Sequence, residues 1–294
     1  RDPGCGLRTG PRARAQARGA GMTLQAEPSA EQRLAPARAE APPLFAAGAA
    51  RPDPRALQLA LADAASARYR AGGRFAWHFA RGKLGMDPLF IDLLRLGLLP
   101  AHGRFLDLGC GQAVLAAWLL AAEELHAAGQ WPAGWVPPPR VQSLHALELM
   151  PRDVARGQRA FDGEPRVRVE QGDICQATFE PVDVITIFDV LHYFPPEAQD
   201  DVLRRMRAAL GAGGLLLARV GDAAAGWRFE LSRRVDQAVT LVRGHGLSPL
   251  YCRPAADWAE ALRALGFSVQ VVRTQGGPPF ANTMLIARVP PEGC

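Results

Sequence analysis

The stretch RFLDLGCGQA, residues 104–113, decides the fold of this 294-residue chain. An apolar run ends in Asp107, and Gly109 and Gly111 follow, one residue apart, before the sequence turns polar and helical. Glycines at a strand-to-helix turn let the backbone come close to a ligand, because they carry no Cβ. The stretch therefore predicts a strand, a tight turn and a helix around a nucleotide-like group.

Six further short runs of β-forming residues follow this stretch. They are 141–149, 166–173, 182–189, 213–220, 267–273 and 282–289. The first five runs of the full set are separated by helical stretches, which predicts parallel strands with crossover helices. The last two are joined only by TQGGPPFA, so they predict a hairpin that adds an antiparallel strand. The sequence thus predicts an α/β fold with a seven-stranded, mostly parallel sheet and helices on both faces.

The first 50 residues differ in composition from the rest of the chain. Residues 1–50 are rich in Pro, Ala and Gly, and we expect a disordered N-terminal tail. Met22 opens the segment MTLQAEPSAEQRL inside this tail. We therefore interpret residues 1–21 as translated upstream sequence or an added remnant, with an organellar transit peptide as the alternative.

Two further regions follow the tail. Residues 51–101 have helical spacing and predict a helical lid, in which RFAWHFARGKLG (74–85) supplies aromatic and basic side chains over a cleft. Residues 102–294 hold all seven β-forming runs and predict the domain that contains the sheet. Two segments exceed what this fold requires, and we interpret 129–139 and 223–251 as insertions.

Charge and cysteine usage limit the partners and the compartment. The formal charge is +5, but residues 1–21 hold five arginines against one acid, so the rest of the chain is nearly neutral. This argues against a nucleic-acid partner. Apolar runs are too short to cross a bilayer, so no membrane span is expected. The five cysteines are far apart and form no CxxC pattern, which predicts a reducing compartment, the cytoplasm.

The glycine spacing separates two kinds of nucleotide site. A dinucleotide-binding turn needs G-x-G-x-x-G, and here the third position is Val114. NAD and FAD are therefore disfavoured, and an NAD-dependent reductase would also lack its Tyr-xxx-Lys pair. No GK[ST] sequence is present, which excludes a P-loop.

FLDLGCGQA resembles the first motif, D/E-x-G-x-G-x-G, of the class I S-adenosylmethionine-dependent methyltransferases, with Ala113 replacing the last glycine. The resemblance continues in order, since Glu148 ends the second strand, Asp173 follows the third and Asp189 ends the fourth. It covers about residues 102–290. It implies a Rossmann-like sheet, S-adenosyl-L-methionine as the cofactor and methyl transfer to a small-molecule acceptor.

The resemblance also implies a set of cofactor contacts. Backbone of the glycine loop would approach the aminoacyl and ribose portions, Glu148 would accept both ribose hydroxyls, and Asp173 would accept the adenine amino group. Asp107 would orient the loop or reach the ammonium group through water. The implied cofactor-binding residues are Asp107, Gly109, Cys110, Gly111, Glu148, Leu149, Asp173, Ile174, Phe188 and Asp189.

His192 and Asp189 are the candidate catalytic residues. His192 stands three residues after the fourth strand and would act as a general base; alternatively it caps the following helix or bonds nearby backbone. An NPPY motif is absent, which disfavours N-methylation of adenine or glutamine amides and favours O- or C-methylation of an aromatic or acyl-type metabolite. A variant with Mg²⁺ would use Asp189 and Asp222. The alternative function is a non-catalytic S-adenosylmethionine-binding regulator.

Overall fold

The computed structural model describes residues 53–221, 250–273 and 282–291. Its centre is a seven-stranded sheet in the order β3-β2-β1-β4-β5-β7-β6. The strands are β1 (His102–Leu108), β2 (Arg140–Glu148), β3 (Val167–Gln171), β4 (Val182–Phe188), β5 (Leu210–Gly221), β6 (Ser268–Arg273) and β7 (Asn282–Arg288). Strands β1 to β5 pair in parallel, and β7 runs antiparallel to both β5 and β6. The predicted fold is confirmed.

The tail before residue 51, most of the 223–251 insertion and the hairpin tip 274–281 lie outside the described residues.

Seven α-helices and two 3₁₀ turns are described around this sheet. The helices are α1 (Pro54–Ala67), α2 (Arg74–Met86), α3 (Pro88–Arg95), α4 (Val114–Ala127), α5 (Pro151–Ala160), α6 (Pro196–Ala209) and α7 (Ala255–Ala264), and the 3₁₀ turns are Arg68–Gly72 and Leu191–Tyr193. Asp53 begins α1, because its carboxylate accepts a hydrogen bond from the Arg55 N–H at 2.9 Å. α3 ends at Arg95 because Gly97 has a φ of +58° and Leu98 N bonds back to Leu93 O at 3.2 Å.

The N-terminal helices belong to the core on one face of the sheet. Leu61 of α1, Leu84 of α2 and Leu89 of α3 are buried in the same cluster as Trp118 of α4. The indole Nε1 of Trp118 donates to the Phe90 carbonyl at 3.0 Å. Helices α6 and α7 contribute to a second cluster on the opposite face, since alternate strand residues point to opposite sides.

The sheet order places one crevice at the carboxyl ends of the strands. Strand β1 lies between β2 and β4, so the chain leaves β1 toward one side of the sheet and later returns to the other side. Ligands of open α/β sheets bind at such a switch point. The residues that end β1, β2, β3 and β4 therefore form the candidate site. In the described part of the chain, no helix is both long enough and apolar enough to span a membrane.

Candidate functional site

The turn between β1 and α4 has a left-handed backbone at three positions. The φ angles are +69° at Gly109, +58° at Gly111 and +58° at Ala113. Gly109 N and Cys110 N both donate to the Leu147 carbonyl, at 2.8 and 3.2 Å, which ties the turn to the end of β2. A left-handed alanine costs about 1–2 kcal/mol, and such strain concentrates at functional sites. The turn therefore has a strained backbone, which hydrogen bonds to the end of β2 hold in place.

Glu148 lies at the end of β2 and faces this turn. Its Oε2 accepts the Gly111 N–H at 2.8 Å, and its Oε1 accepts the Met150 N–H at 3.0 Å. Burial raises the pKa of Glu148, and these two backbone donors offset part of that effect. A carboxylate oxygen has two lone pairs, so each oxygen retains one acceptor position. The structure thus brings the predicted ribose carboxylate onto the glycine loop, and this arrangement fits a ribose-bearing cofactor.

Asp107 and Cys110 are buried on either side of Gly109. The Asp107 carboxylate accepts a hydrogen bond from Thr186 Oγ1 at 2.7 Å, and burial raises its pKa to about 7. Burial also raises the pKa of the Cys110 thiol well above its usual value, with the charges of Asp107 and Glu148 adding to the effect. A thiolate is therefore suppressed at Cys110, which suits a packing residue rather than a nucleophile.

The ends of β2 and β3 lie side by side. Gly172 N donates to the Glu148 carbonyl at 3.0 Å, which joins the two strand ends. Asp173 follows directly, Ile174 is buried in the second core cluster, and the Leu149 side chain is 57% exposed. Four of the predicted cofactor residues are thus neighbours at the ends of β2 and β3, namely Glu148, Leu149, Asp173 and Ile174. The exposed Leu149 follows directly after Glu148, the predicted ribose carboxylate.

A cluster of four charged residues surrounds the end of β4. The buried Arg219 guanidinium, on β5, donates from Nε to Asp189 Oδ1 and from Nη1 to both Asp87 oxygens, each at 2.8 Å. Lys83 Nζ lies 2.9 Å from Asp87 Oδ2 and 4.0 Å from Asp189 Oδ2. Burial opposes ionisation of the two acids, but the cations outweigh it, so the pKa of each lies below its usual value.

Sequence reasoning missed two members of this cluster, Arg219 and Asp87. An arginine inside the apolar run LLLARV was the available signal, because a central strand holds a charged residue only when it is paired. Asp189 itself has a φ of +61°, so it and Ala113 are the two non-glycine residues with a left-handed backbone in the described part of the chain. Its carboxylate is engaged by Arg219, and Asp222 lies outside the described residues. The described residues contain no group of three or more side chains that would hold a metal ion.

His192 lies in the 3₁₀ turn after β4. Its side chain is buried, and its Nε2 has no hydrogen-bond partner among the described residues. Burial lowers the pKa of His192, while the charge of Asp189 opposes this shift. The ring is therefore neutral near pH 7. Phe188 ends β4 and packs, partly buried, against the first core cluster.

Comparisons with known proteins identify a family model and a relative that match part of this chain. Residues 106–216 match the family model of a methyltransferase domain. A 130-residue stretch is 32% identical to the carboxy-S-adenosyl-L-methionine synthase of Chromohalobacter salexigens and covers 42% of this chain and 43% of that protein. The chain thus aligns with less than half the length of this relative.

Two solved structures share the fold. An O-methyltransferase family protein from Burkholderia thailandensis superposes with a TM-score of 0.50 at 17% identity, covering 76% of this chain and 62% of that one. The S-adenosylmethionine-dependent methyltransferase SibL superposes with a TM-score of 0.51 at 19% identity, with the same two coverages. At these identities the likeness concerns the fold alone.

The sheet order and the glycine loop beside Glu148 define an open α/β sheet with a candidate ligand site at its switch point. Residues 106–216 are thus similar to a methyltransferase domain, and the sheet order is that of the class I, S-adenosylmethionine-dependent methyltransferase fold. The resemblance seen in the sequence motifs is confirmed, and S-adenosylmethionine is the cofactor of this class.

Proposed function

We propose that this chain transfers the methyl group of S-adenosylmethionine to a small-molecule acceptor. The observation that carries the proposal is the Glu148 carboxylate on the glycine loop, with acceptor capacity left for two ribose hydroxyls. The bound cofactor supplies a methyl group on a sulfonium, with a thioether as the leaving group. The protein then has to orient the acceptor and exclude water, because the leaving group is already activated.

The residues at the ends of β2 and β3 support the cofactor assignment. Glu148 would accept the ribose hydroxyls, the exposed Leu149 side chain would cover one face of the adenine, and Asp173 would accept the adenine amino group. Backbone at Gly109 and Gly111 would approach the aminoacyl portion. Asp107 would hold the loop from below, since its carboxylate is buried.

The end of β4 supports O- or C-methylation. A neutral His192 would take the proton from a hydroxyl acceptor, and Asp189 would hold the edge of the site through Arg219. Helix α2 brings Lys83 to this edge and also carries Phe75 and Phe79, whose rings stack with centroids 6.2 Å apart. These side chains favour an aromatic or acyl-type metabolite over a polar polymer. We therefore expect no nucleic-acid partner, and a cytoplasmic location suits the unpaired thiols of Cys110 and Cys175.

Titration calorimetry tests the cofactor assignment. We expect S-adenosylmethionine and its demethylated product to bind, and NAD not to bind. Glu148→Ala should weaken binding by about 1.5–3 kcal/mol, the scale of hydrogen bonds to a charged group. Glu164→Ala is the matched control, because Glu164 pairs with Arg166 just before β3. It therefore lies at the amino end of this strand, whereas Glu148 lies at the carboxyl end of β2. Unchanged affinity in Glu148→Ala would remove the ribose role.

Transfer of the methyl group is tested with cofactor carrying a radiolabelled methyl and a metabolite extract. We expect label in a small molecule, which chromatography and mass spectrometry then identify. Cofactor binding without any labelled product would instead support the non-catalytic regulator. Binding of NAD in place of the cofactor would support the reductase.

A second candidate function comes from the relative at 32% identity, whose name describes synthesis of carboxy-S-adenosyl-L-methionine. The same extract experiment distinguishes it from methyl transfer. A cofactor species heavier by a carboxyl group in place of a hydrogen would favour this candidate. A methylated small molecule together with demethylated cofactor would favour methyl transfer.

A further inference from the structure

Gln199, in the first turns of α6, is fully buried and binds three carbonyl groups with one amide nitrogen. Its Nε2 lies 3.1 Å from Leu191 O, 2.9 Å from Phe194 O and 2.8 Å from Tyr251 O. A side-chain amide has two N–H groups, so three acceptors share two donors. Buried carbonyl groups that lose such a donor cost free energy, which makes this side chain hard to replace.

The three carbonyls come from two distant parts of the chain. Leu191 and Phe194 belong to the turn after β4, which carries His192. Tyr251 lies well beyond β5, near the end of the second insertion. Tyr251 N also donates to the His192 carbonyl at 2.8 Å, so the two segments bond to each other directly. Gln199 therefore bonds to both segments at the place where the His192 turn and the Tyr251 backbone meet.

A second attachment of the same segment does not touch the His192 turn. Arg253 donates from Nη2 to the Pro196 carbonyl at 2.9 Å and pairs with Asp200 at 2.8 Å. Its guanidinium also lies 5.0 Å from the centre of the Trp258 ring. Arg253 thus fixes residues near 253 to α6 independently, and the two attachments are separable by mutation.

The His192 ring depends on its turn for orientation. No described residue bonds its Nε2, and the ring contacts the neighbouring Tyr193 ring with centroids 4.3 Å apart. We propose that Gln199 is a positioning residue for the methyl-transfer site, which fixes the turn that carries His192 and places Tyr251 beside it, at the acceptor side of the cleft. This inference rests on the proposed function. Tyr251 is 37% exposed, so part of this residue is accessible from solvent.

Three variants of the full-length chain separate this role from general stability. Gln199→Met removes the amide, and Arg253→Met removes only the second attachment. Gln158→Met is the matched control, because Gln158 donates from α5 to the Val169 carbonyl at 3.1 Å, away from the His192 turn. The readouts are amide hydrogen exchange at Tyr251, ring resonances of His192 by NMR, and affinity for S-adenosylhomocysteine.

In Gln199→Met we expect exchange at Tyr251 to accelerate at least about tenfold, because local opening then lacks the amide that opposes it. The His192 ring resonances should shift. Affinity for S-adenosylhomocysteine should stay within about twofold, since the proposed ribose and adenine residues lie at the ends of β2 and β3 and not in the His192 turn. Arg253→Met should leave the His192 resonances unchanged, and Gln158→Met should change neither signal. With an acceptor in hand, Gln199→Met should lower kcat more than it changes the KM for the cofactor.

Wild-type exchange at Tyr251 and wild-type His192 resonances in Gln199→Met would overturn the proposal. Parallel changes in all three variants would also overturn it, because they would reflect a common loss of stability. If Gln199→Met does not fold, Gln199→Asn replaces it, since it keeps the amide but is one methylene shorter; wild-type behaviour of that variant in both measurements would likewise overturn the proposal. Neither of these measurements uses an acceptor, so failure of this proposal is distinguishable from failure of methyl transfer.

Discussion

At Gly109 a backbone constraint and a packing constraint act on the same residue. Its φ of +69° disfavours any side chain, and a Cβ there would lie 2.3 Å from Val190 Cγ2. Gly129, after α4, has nearly the same φ of +71° but open space around the position of its Cβ. Substitution of Gly109 and of Gly129 by alanine therefore separates the free-energy cost of a left-handed backbone from the cost of a steric clash.

We predict that Gly129→Ala lowers the free energy of unfolding by about 1–2 kcal/mol, the cost of a left-handed alanine. Gly109→Ala should lose about 1–3 kcal/mol more, because the added methyl overpacks against Val190. Urea unfolding of both variants measures the difference, and calorimetry with S-adenosylmethionine should show weaker binding only for Gly109→Ala. Equal unfolding losses would mean that Val190 moves aside, which would contradict the packing constraint.

Asp107 makes the stability of the cofactor-free protein depend on pH. Burial raises the pKa of Asp107 to about 7, so between pH 4 and pH 7 the folded state binds more protons than the unfolded state. Stability should therefore fall as pH rises through this range. One pKa unit corresponds to about 1.4 kcal/mol, so the whole change is about 4 kcal/mol.

We predict that Asp107→Asn removes this dependence, because its amide does not ionise. The variant should gain stability relative to wild type from pH 4 to pH 8, as measured by urea unfolding at each pH. Asp183→Asn is the control of opposite sign, since Arg104 lowers the pKa of Asp183 and its contribution is lost only as pH falls below about 4. A flat difference between Asp107→Asn and wild type would show that Asp107 is ionised throughout.

Three separate elements meet at Arg219. Asp87 lies at the junction of α2 and α3, Asp189 directly follows β4, and Arg219 lies on β5 with its side chain 5% exposed. The N-terminal helices are therefore joined to the carboxyl ends of β4 and β5 by charge as well as by apolar packing. A second link is the fully buried Tyr69, whose hydroxyl donates to the Gln112 carbonyl in the glycine loop at 2.8 Å.

We predict that Arg219→Met lowers the free energy of unfolding by about 3–5 kcal/mol, because two carboxylates lose their buried partner. Arg104→Met is the matched control, since the Arg104–Asp183 pair is about half exposed and solvent screening leaves it a much smaller contribution. Denaturant unfolding measures both variants. Similar small losses in the two variants would mean that water or Lys83 replaces the guanidinium.

At the scale of the whole molecule, the N-terminal helices are part of one core rather than a separate cover. Leu61, Leu84 and Leu89 have at most 1% of their surface exposed and lie in the cluster that contains Trp118. The boundary that composition suggests near residue 101 therefore crosses a shared apolar core. The sequence before residue 51 has no core-forming pattern, so a boundary at residue 50 would not divide a core that the sequence predicts.

Two truncations test this organisation. A chain that starts at Arg51 should keep its melting temperature and cofactor affinity, because the preceding sequence lacks a core-forming pattern and holds most of the excess charge. A chain that starts at His102 should not unfold cooperatively, since it leaves the Trp118 face of α4 without its apolar partners. Thermal unfolding and titration calorimetry decide both cases. A cooperative His102 truncation would show that the sheet domain folds alone.

The sequence by itself determined the strands, the glycine turn and the positions of Glu148 and Asp173, because each follows from a local pattern. Alternating helical and β-forming runs imply a parallel sheet, and strand ends in such a sheet share one edge. Helical spacing at residues 51–101 also predicted helices there, but it did not identify α1 as the partner of the buried face of the 13-residue α2. Local periodicity does not record such partners.

Only the tertiary structure decided which polar groups meet across the chain. Arg219 pairs with Asp87, 132 residues away, and Gln199 bonds Tyr251, 52 residues away. No local spacing predicts these contacts, because they depend on how separate elements pack against the sheet. Burial then sets their strength and ionisation, since a low-dielectric interior requires each charge and each amide to find a partner. The chemistry at the end of β4 is therefore a property of the folded chain.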